Sequence, residues 1–173
     1  MFKLLHKIQY TISNIQSINS GFTLIELLVV FTLASIVSGI GFASFASYSR
    51  RQVVIQAAAN FKQTVDLARF NALSSVKPTT VCGETDELSN FKVVIINNVD
   101  YEMSVTCGIE HVQVAKTLPQ NVTFSNVPGS PPCGTLTFSR ISGVVTGTPC
   151  EIFVNGYGNQ IRVVIDSNGH VSY

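Results

Sequence analysis

The strongest constraint in the sequence is a stretch without charge. Residues 27–49 contain 23 positions and no Asp, Glu, Lys or Arg. About 20 apolar residues are enough for a helix to cross the hydrocarbon core of a bilayer. Glu26 lies directly before this stretch, inside the same apolar segment. A carboxylate in hydrocarbon costs roughly 2.5–3.5 kcal/mol, so an acidic residue in this position is treated as functional. The sequence therefore predicts a membrane-spanning helix with one functional carboxylate near its start.

Residues 1–21 have the composition of a leader. Lys3 and Lys7 make its start basic, and its apolar side chains fall roughly on one helical face. The apolar span follows this segment instead of lying within it, unlike an ordinary secretory signal. Arg50 and Arg51 place two basic residues at the far end of the span as well. The distribution of basic residues therefore leaves the orientation of the helix in the membrane open.

Segment 21–26, GFTLIE, followed by an apolar helix, resembles the processing site of type IV prepilins and type II secretion pseudopilins. The resemblance implies that a membrane peptidase cuts after Gly21 and methylates the new N-terminal residue, Phe22. It also implies that the cut is made on the cytoplasmic side. The remainder would then be anchored in the inner membrane of a bacterium, with its C-terminal domain in the periplasm.

Glu26 has two interpretations. A cut after Gly21 would create a free amine on Phe22, four residues before the carboxylate, and those two positions share one face of a helix. Proteins of the family are thought to pair this carboxylate with the terminal amine of a neighbouring subunit, which would make Glu26 an assembly residue. The alternative is an acidic residue stabilised at the helix start by the helix dipole.

Residues 50–77 continue the helix in amphipathic form. Apolar residues recur there at alternating spacings of four and three, at Val54, Ala58, Phe61, Val65, Ala68 and Ala72. This spacing is typical of a helix that packs one face against a globular partner. Pro78 follows, and a proline disfavours helix at the residue before it. We expect one helix over residues 22–77, with 22–49 as the membrane and assembly half and 50–77 as the amphipathic half.

Residues 78–173 contain short β-type runs separated by turn residues. The predicted strands are 79–82, 91–97, 101–107, 111–118, 122–127, 135–140, 151–155, 160–165 and 170–173. Residues 97–98 and 166–169 have the composition of hairpin turns. This pattern predicts an antiparallel sheet that covers the amphipathic half of the helix. The fold class is therefore α+β, and the prepilin resemblance implies the type IV pilin fold.

Four cysteines, all in the β-rich part, lack the close paired spacing of a zinc site. Three pairings are possible. We favour Cys82 with Cys107 and Cys133 with Cys150, because each bridge closes a local loop of hairpin size. Two structural disulfides indicate an oxidising compartment.

No catalytic group, cofactor or metal ligand set is predicted. The histidines are scattered, at positions 6, 111 and 170. Glu84, Asp86 and Glu87 form a small acidic cluster whose oxygens could hold calcium, but a solvated loop is the simpler interpretation. From residue 52 onward, seven Lys and Arg stand against nine Asp and Glu, so this part has a charge of about −2. Such a balance does not favour DNA, whose binding depends mainly on basic residues.

Two further segments, 65–72 (VDLARFNA) and 161–171 (IRVVIDSNGHV), resemble the GspH/FimT group of minor pilins and pseudopilins. The resemblance implies a non-enzymatic fibre subunit, with other pilin-type subunits, the prepilin peptidase and the inner membrane as its partners. We interpret the chain as a minor pilin of a type IV pilus that ends in the extracellular fibre. Two disulfides favour the pilus over the alternative, a pseudopilin of type II secretion.

A third alternative is a DNA receptor, because some relatives bind DNA through Arg residues that follow the glycine of the closing motif. Here Gly169 is followed by His170-Val171-Ser172-Tyr173, which contains no arginine. The sequence therefore favours a structural role over DNA binding.

Overall fold

The computed structural model describes residues 21–141 and 145–173; the side chains of residues 40, 41 and 43 are not described. Within those ranges it contains one helix, α1 (Leu24–Leu73). Residues 1–20 of the predicted leader lie outside the described part. The strands are β1 (Leu88–Ile95), β2 (Asp100–Cys107), β3 (Ile109–Thr117), β4 (Val122–Asn126), β5 (Thr135–Ser139), β6 (Val145–Thr146), β7 (Cys150–Gly156), β8 (Asn159–Ile165) and β9 (Val171–Ser172). The chain divides into two compact units, one ending at Ala43 and one beginning at Ser44.

The strands form two antiparallel sheets instead of the single sheet expected from the sequence. The first has the order β3-β2-β1-β5-β6 and the second the order β4-β7-β8-β9. The division arises because β4 pairs with β7, while β5 returns to pair with β1. A long helix and antiparallel strands confirm the predicted α+β class.

The amphipathic half of α1 provides one wall of the hydrophobic core. All six apolar positions predicted to face the sheet are fully buried, and Ala57 is buried with them. The Phe61 ring lies 5.3 Å from that of Tyr101 in β2 and 5.2 Å from that of Phe124 in β4, both edge to face. Phe61 therefore connects the helix to one aromatic side chain in each sheet.

The end of α1 was predicted wrongly. The helix ends at Leu73, four residues before Lys77. Ser75 adopts a left-handed conformation with φ of 50°. The N–H of Val76 donates to the carbonyl of Asn71 at 3.0 Å, and that of Ser75 to the carbonyl of Ala72 at 3.2 Å. This pair of hydrogen bonds is the Schellman motif, which usually has glycine at the left-handed position. A serine there gives no clear stop signal in the sequence.

The predicted strand at residues 79–82 was also wrong, because these residues form a turn. The N–H groups of Val81 and Cys82 both donate to the carbonyl of Pro78. Strand β6 was not predicted, since two residues are too short to show an alternating pattern. The other predicted strands are present, with ends shifted by up to three residues.

The predicted turn at residues 166–169 joins β8 to β9, and two basic side chains of α1 hold this hairpin. Lys62 Nζ donates to the carbonyl of Val171 at 2.7 Å. Arg69 Nε donates to the carbonyl of Asn168 at 3.0 Å. Gly169 has φ of 72°, and a Cβ there would lie 2.7 Å from a ring carbon of Phe138. The turn therefore requires glycine for both conformation and space.

Two disulfides join the loops to the strands. Cys82, in the turn after α1, is bonded to Cys107 at the end of β2, with a Cα–Cα distance of 5.7 Å. Cys133 is bonded to Cys150 at the start of β7, with a Cα–Cα distance of 5.3 Å. These are the pairs that the local-loop argument favours.

Candidate processing and assembly site

The first turn of α1 is capped by Thr23. Its hydroxyl oxygen accepts a hydrogen bond from the N–H of Glu26 at 3.3 Å. Its carbonyl accepts the N–H of Leu27 at 3.2 Å. A side-chain oxygen that accepts from the third helical residue is the usual N-cap arrangement, since the first N–H groups of a helix lack partners within it. Thr23 therefore fixes the residue at which the helix begins.

The role of Thr23 was missed in the sequence, although a signal for it was present. Thr-x-x-Glu directly before an apolar run is the capping-box pattern. It places Glu26 at the third helical position, where a carboxylate is stabilised by the positive end of the helix dipole. The same carboxylate lies on the first turn, four residues after Phe22, and is exposed. The helix begins at Leu24, two residues later than predicted, so Phe22 precedes it and the shared helical face expected for Phe22 and Glu26 is not present in this structure.

The predicted cleavage site lies outside the helix. Residues 21–23 have no regular secondary structure and are exposed. A Cβ at Gly21 would meet no atom within 4 Å, and Phe22 is 76% exposed. The peptide bond between Gly21 and Phe22 is therefore free of helical hydrogen bonds and accessible to an enzyme.

The first part of α1, residues 24–39, presents an apolar surface. The most apolar 18-residue stretch of α1 has a mean hydropathy of 2.2 and is not buried within the protein. Two of its polar side chains bond to carbonyls of their own helix. Thr32 Oγ1 donates to Val29 O, and Ser35 Oγ donates to Thr32 O, both at 2.8 Å. Internal bonds of this kind suit a lipid environment, where water cannot satisfy polar groups. The helix has the length and composition of a membrane span.

The acidic cluster after Cys82 serves the local turn. Asp86 Oδ2 accepts the N–H of Gly83 at 2.8 Å, and Lys77 Nζ donates to the carbonyl of Glu84 at 2.8 Å. Nowhere in residues 21–141 and 145–173 do three His, Cys, Asp or Glu side chains group in a way that could hold a metal ion. His111 lies in β3 of the first sheet and His170 precedes β9 of the second.

The ion pairs of the sheets connect different strands: Lys92 on β1 reaches Glu110 on β3 across β2, and Arg162 on β8 pairs with Glu151 on its neighbour β7. Hydrogen bonds from Lys92 and Ser104 lower the pKa of Glu110 on β3. The guanidinium of Arg162 on β8, together with the hydroxyl of Ser130, lowers the pKa of Glu151 on β7. Both carboxylates are thus held ionised by hydrogen bonds from side chains on other strands or loops. Neither faces a second acidic group in the manner of a general acid–base pair.

Comparison with known proteins identifies the segment around Gly21. Residues 17–42 match the family model described as the prokaryotic N-terminal methylation motif. Comparison with curated proteins gives no match. Two solved structures of the minor pseudopilin EpsH from the type 2 secretion system of Vibrio cholerae are similar. One has 17% identity and a TM-score of 0.48, covering 69% of this chain and 94% of that one. The other has 16% identity and a TM-score of 0.49, covering 70% and 92%.

The methylation motif, the apolar helix that begins within it and the antiparallel sheets with two disulfides are those of a type IV pilin-like protein. This class contains the pilins and the pseudopilins, which are structural subunits. The apolar half of α1 is its membrane anchor, and the β-rich unit is its soluble part.

Proposed function

We propose that the protein is a minor subunit of a type IV pilus, made as a prepilin, cut after Gly21 and methylated on Phe22. The observation that carries this proposal is the methylation motif over residues 17–42, in which the Gly21–Phe22 bond is exposed and non-helical. The prepilin peptidase is the enzyme that would make the cut. Residues 1–21 would then be removed as the leader.

Glu26 is the proposed assembly residue. The cut creates an ammonium group on Phe22, four residues before the carboxylate. Either charge alone is unfavourable among apolar side chains, and removing one partner of a buried ion pair typically costs about 3–5 kcal/mol. A neighbouring subunit whose terminal amine meets Glu26 would relieve both charges at once. This pairing supports incorporation into a fibre through the apolar half of α1.

The proposed location follows from the anchor and the disulfides. The apolar half of α1 holds the subunit in the bacterial inner membrane, and the β-rich unit lies in the periplasm. Two disulfides with no free cysteine among the described residues support that location, because such bridges persist in oxidising compartments. From the membrane the subunit would pass into the extracellular fibre. Residues 22–49 then form the membrane and assembly segment, 50–77 the amphipathic segment and 78–173 the periplasmic domain.

The processing step is tested by N-terminal mass analysis of exported protein. We expect a chain that begins with N-methylated Phe22. A Gly21→Leu variant, which replaces the residue before the cut, should keep its leader. Fibre-associated protein that still begins at Met1 would refute the processing proposal.

The assembly step is tested with Glu26→Ala and Glu26→Gln, and with Glu87→Ala as a matched control in an exposed loop. Both Glu26 variants should be cut, reach the membrane and form their disulfides, yet enter fibres poorly. The Glu87 variant should assemble as the wild type does. The readout is the ratio of fibre-bound to membrane-bound protein. Wild-type incorporation of both Glu26 variants would reduce Glu26 to a helix-start residue, and recovery with Gln alone would indicate a hydrogen bond instead of a charge pair.

The pilus is distinguished from a secretion machine by shearing. A pilus subunit should appear in the sheared surface-fibre fraction, and its loss should reduce the number of fibres. If cells that lack the protein keep their pili but retain secreted enzymes in the periplasm, the protein is a pseudopilin.

A further inference from the structure

One end of the β-rich unit lies beside the residues at which the apolar run stops. The guanidinium carbon of Arg50 is 6.0 Å from the centre of the Tyr157 ring. Tyr157 lies in the β7–β8 turn, and its hydroxyl donates to the carbonyl of Gln120 at 3.1 Å. A Cβ on Gly156 would lie 3.0 Å from a methyl group of Val54. Arg50, Arg51, the loop at 119–121 and the turn at 157–158 are called here the proximal end.

The opposite end of the second sheet lies further along α1. There the turn from β8 to β9 is held by Arg69, nineteen positions after Arg50. Strands β7 and β8 therefore run between these two levels of the helix, and the Tyr157 turn is the part of the sheet beside Arg50. The location of this turn thus rests on contacts within the unit that begins at Ser44.

The chemistry of the proximal end fits a lipid headgroup. The uncharged stretch ends at residue 49, so Arg50 and Arg51 fall where a spanning helix leaves the hydrocarbon. Tyr48 and Tyr157 are 61% and 41% exposed, and tyrosines are enriched at the membrane–water interface. Segments 44–60, 119–122 and 156–161 contain no Asp or Glu, whereas residues 52–173 contain nine. The proximal end is therefore basic and aromatic on an otherwise slightly acidic domain.

We propose that the proximal end rests on the outer face of the membrane, with Arg50 and Arg51 bound to phosphates of anionic phospholipids and Tyr157 at headgroup depth. The β-rich unit is thereby docked on the bilayer while the subunit waits for assembly. Each basic residue near an anionic membrane surface shifts the balance toward contact about fivefold. This inference rests on the membrane anchoring in the proposed function.

The chain contains no tryptophan, so one introduced Trp reports its own depth. The full chain is placed in vesicles of phosphatidylcholine and phosphatidylglycerol, some of them with a nitroxide on the headgroup. Tyr157→Trp is compared with Phe70→Trp, a matched control on α1 that replaces a 63% exposed ring. The control lies about 30 Å further along the helix at ~1.5 Å per residue. Absence of free thiols shows that both disulfides have formed in each variant, and a far-ultraviolet circular dichroism spectrum like that of the wild type shows that the variant has folded.

We expect quenching of Tyr157→Trp to exceed that of the control severalfold, since each basic residue favours membrane contact by about fivefold. Adding Arg50→Gln and Arg51→Gln, or using phosphatidylcholine alone, should reduce the difference severalfold. Equal quenching of the two tryptophans in inserted protein overturns this inference and leaves the anchoring intact. Quenching that is unchanged when both arginines are replaced also overturns the inference. Quenching that is lost at high protein density overturns it too, because the surface is then covered by a second copy of the chain. Extraction of the chain by alkaline carbonate shows that it is not inserted, which refutes the proposed anchoring and this inference together.

Discussion

Phe61 is the side chain whose removal should damage the fold most clearly. It is fully buried and contacts Tyr101 of the first sheet and Phe124 of the second. Truncation of a buried Phe to Ala typically costs about 3–5 kcal/mol, because the transfer energy is lost and a cavity remains. Each edge-to-face aromatic contact adds about 0.5–1.5 kcal/mol to the burial of the ring. Since two such contacts are lost, we expect a cost near the upper limit, about 4–5 kcal/mol.

The chain offers a matched control on the same helix. Phe70 lies nine residues further along α1 and is 63% exposed. Phe70→Ala removes the same atoms from a surface position, where substitutions usually change stability by about 0.5 kcal/mol or less. Phe61→Leu should fall between the two, because it keeps most of the buried volume but removes the ring contacts.

The assay is equilibrium urea unfolding of the full chain in detergent micelles, followed by the near-ultraviolet signal of the aromatic core. The difference between Phe61→Ala and Phe70→Ala removes effects common to both substitutions. A loss below about 2 kcal/mol for Phe61→Ala would fall under the range for buried Phe truncations. That result, or equal losses for both variants, would refute the view that Phe61 connects helix and sheets.

Three other predictions concern the cap, a disulfide and a turn. Ser75→Gly should raise the free energy of unfolding by about 0.5–1 kcal/mol, because glycine adopts the left-handed conformation without strain; urea unfolding of the variant checks this, and a loss of stability would contradict it. Replacing Cys133 and Cys150 together with Ala opens a bridge between residues 17 apart and should cost about 3 kcal/mol; the same assay measures it, and an unchanged midpoint would contradict it. The backbone N–H of His170 donates to the Asp166 carboxylate and lowers the pKa of Asp166. The stabilisation from this hydrogen bond is therefore present above the unfolded-state pKa of Asp166 and is lost as the pH falls through the folded-state pKa. Asp166→Asn should therefore flatten the acid side of the stability–pH curve, and an unchanged slope there would refute this account.

The apolar half and the buried face of α1 could be predicted because both depend on local sequence. A run of 23 uncharged residues has few structural solutions, and all six positions chosen from the helical repeat are buried, although Ala57 and Thr64, which are also buried, were not among them. Predictions based on this period do not depend on which strands cover the helix.

The division into two sheets could not be predicted, because it depends on strand pairing between distant residues. Nothing local distinguishes a β4 that pairs with β7 from one that pairs with β5. The end of α1 was missed for a different reason. Ser75 takes a backbone conformation that sequence patterns associate with glycine or asparagine.

The candidate site was only partly visible in the sequence. Gly21, Phe22 and Glu26 were predicted through the motif they form and stay predictions, whereas the cap at Thr23 depends on where the helix begins. The position of Tyr157 beside Arg50 joins residues more than a hundred positions apart. No local pattern could have predicted that contact.

The basic side chains that hold the β8–β9 hairpin also have a mechanical consequence. A subunit pulled through α1 would load Lys62 and Arg69 together with Phe61, which lies between them and the proximal end. These contacts all resist sliding of the helix along the sheets at the same time, so the load is divided among them. A hairpin peeled from its edge would instead break its hydrogen bonds one after another. Traction along the helix therefore loads these contacts together, whereas peeling loads the hydrogen bonds of the hairpin one at a time.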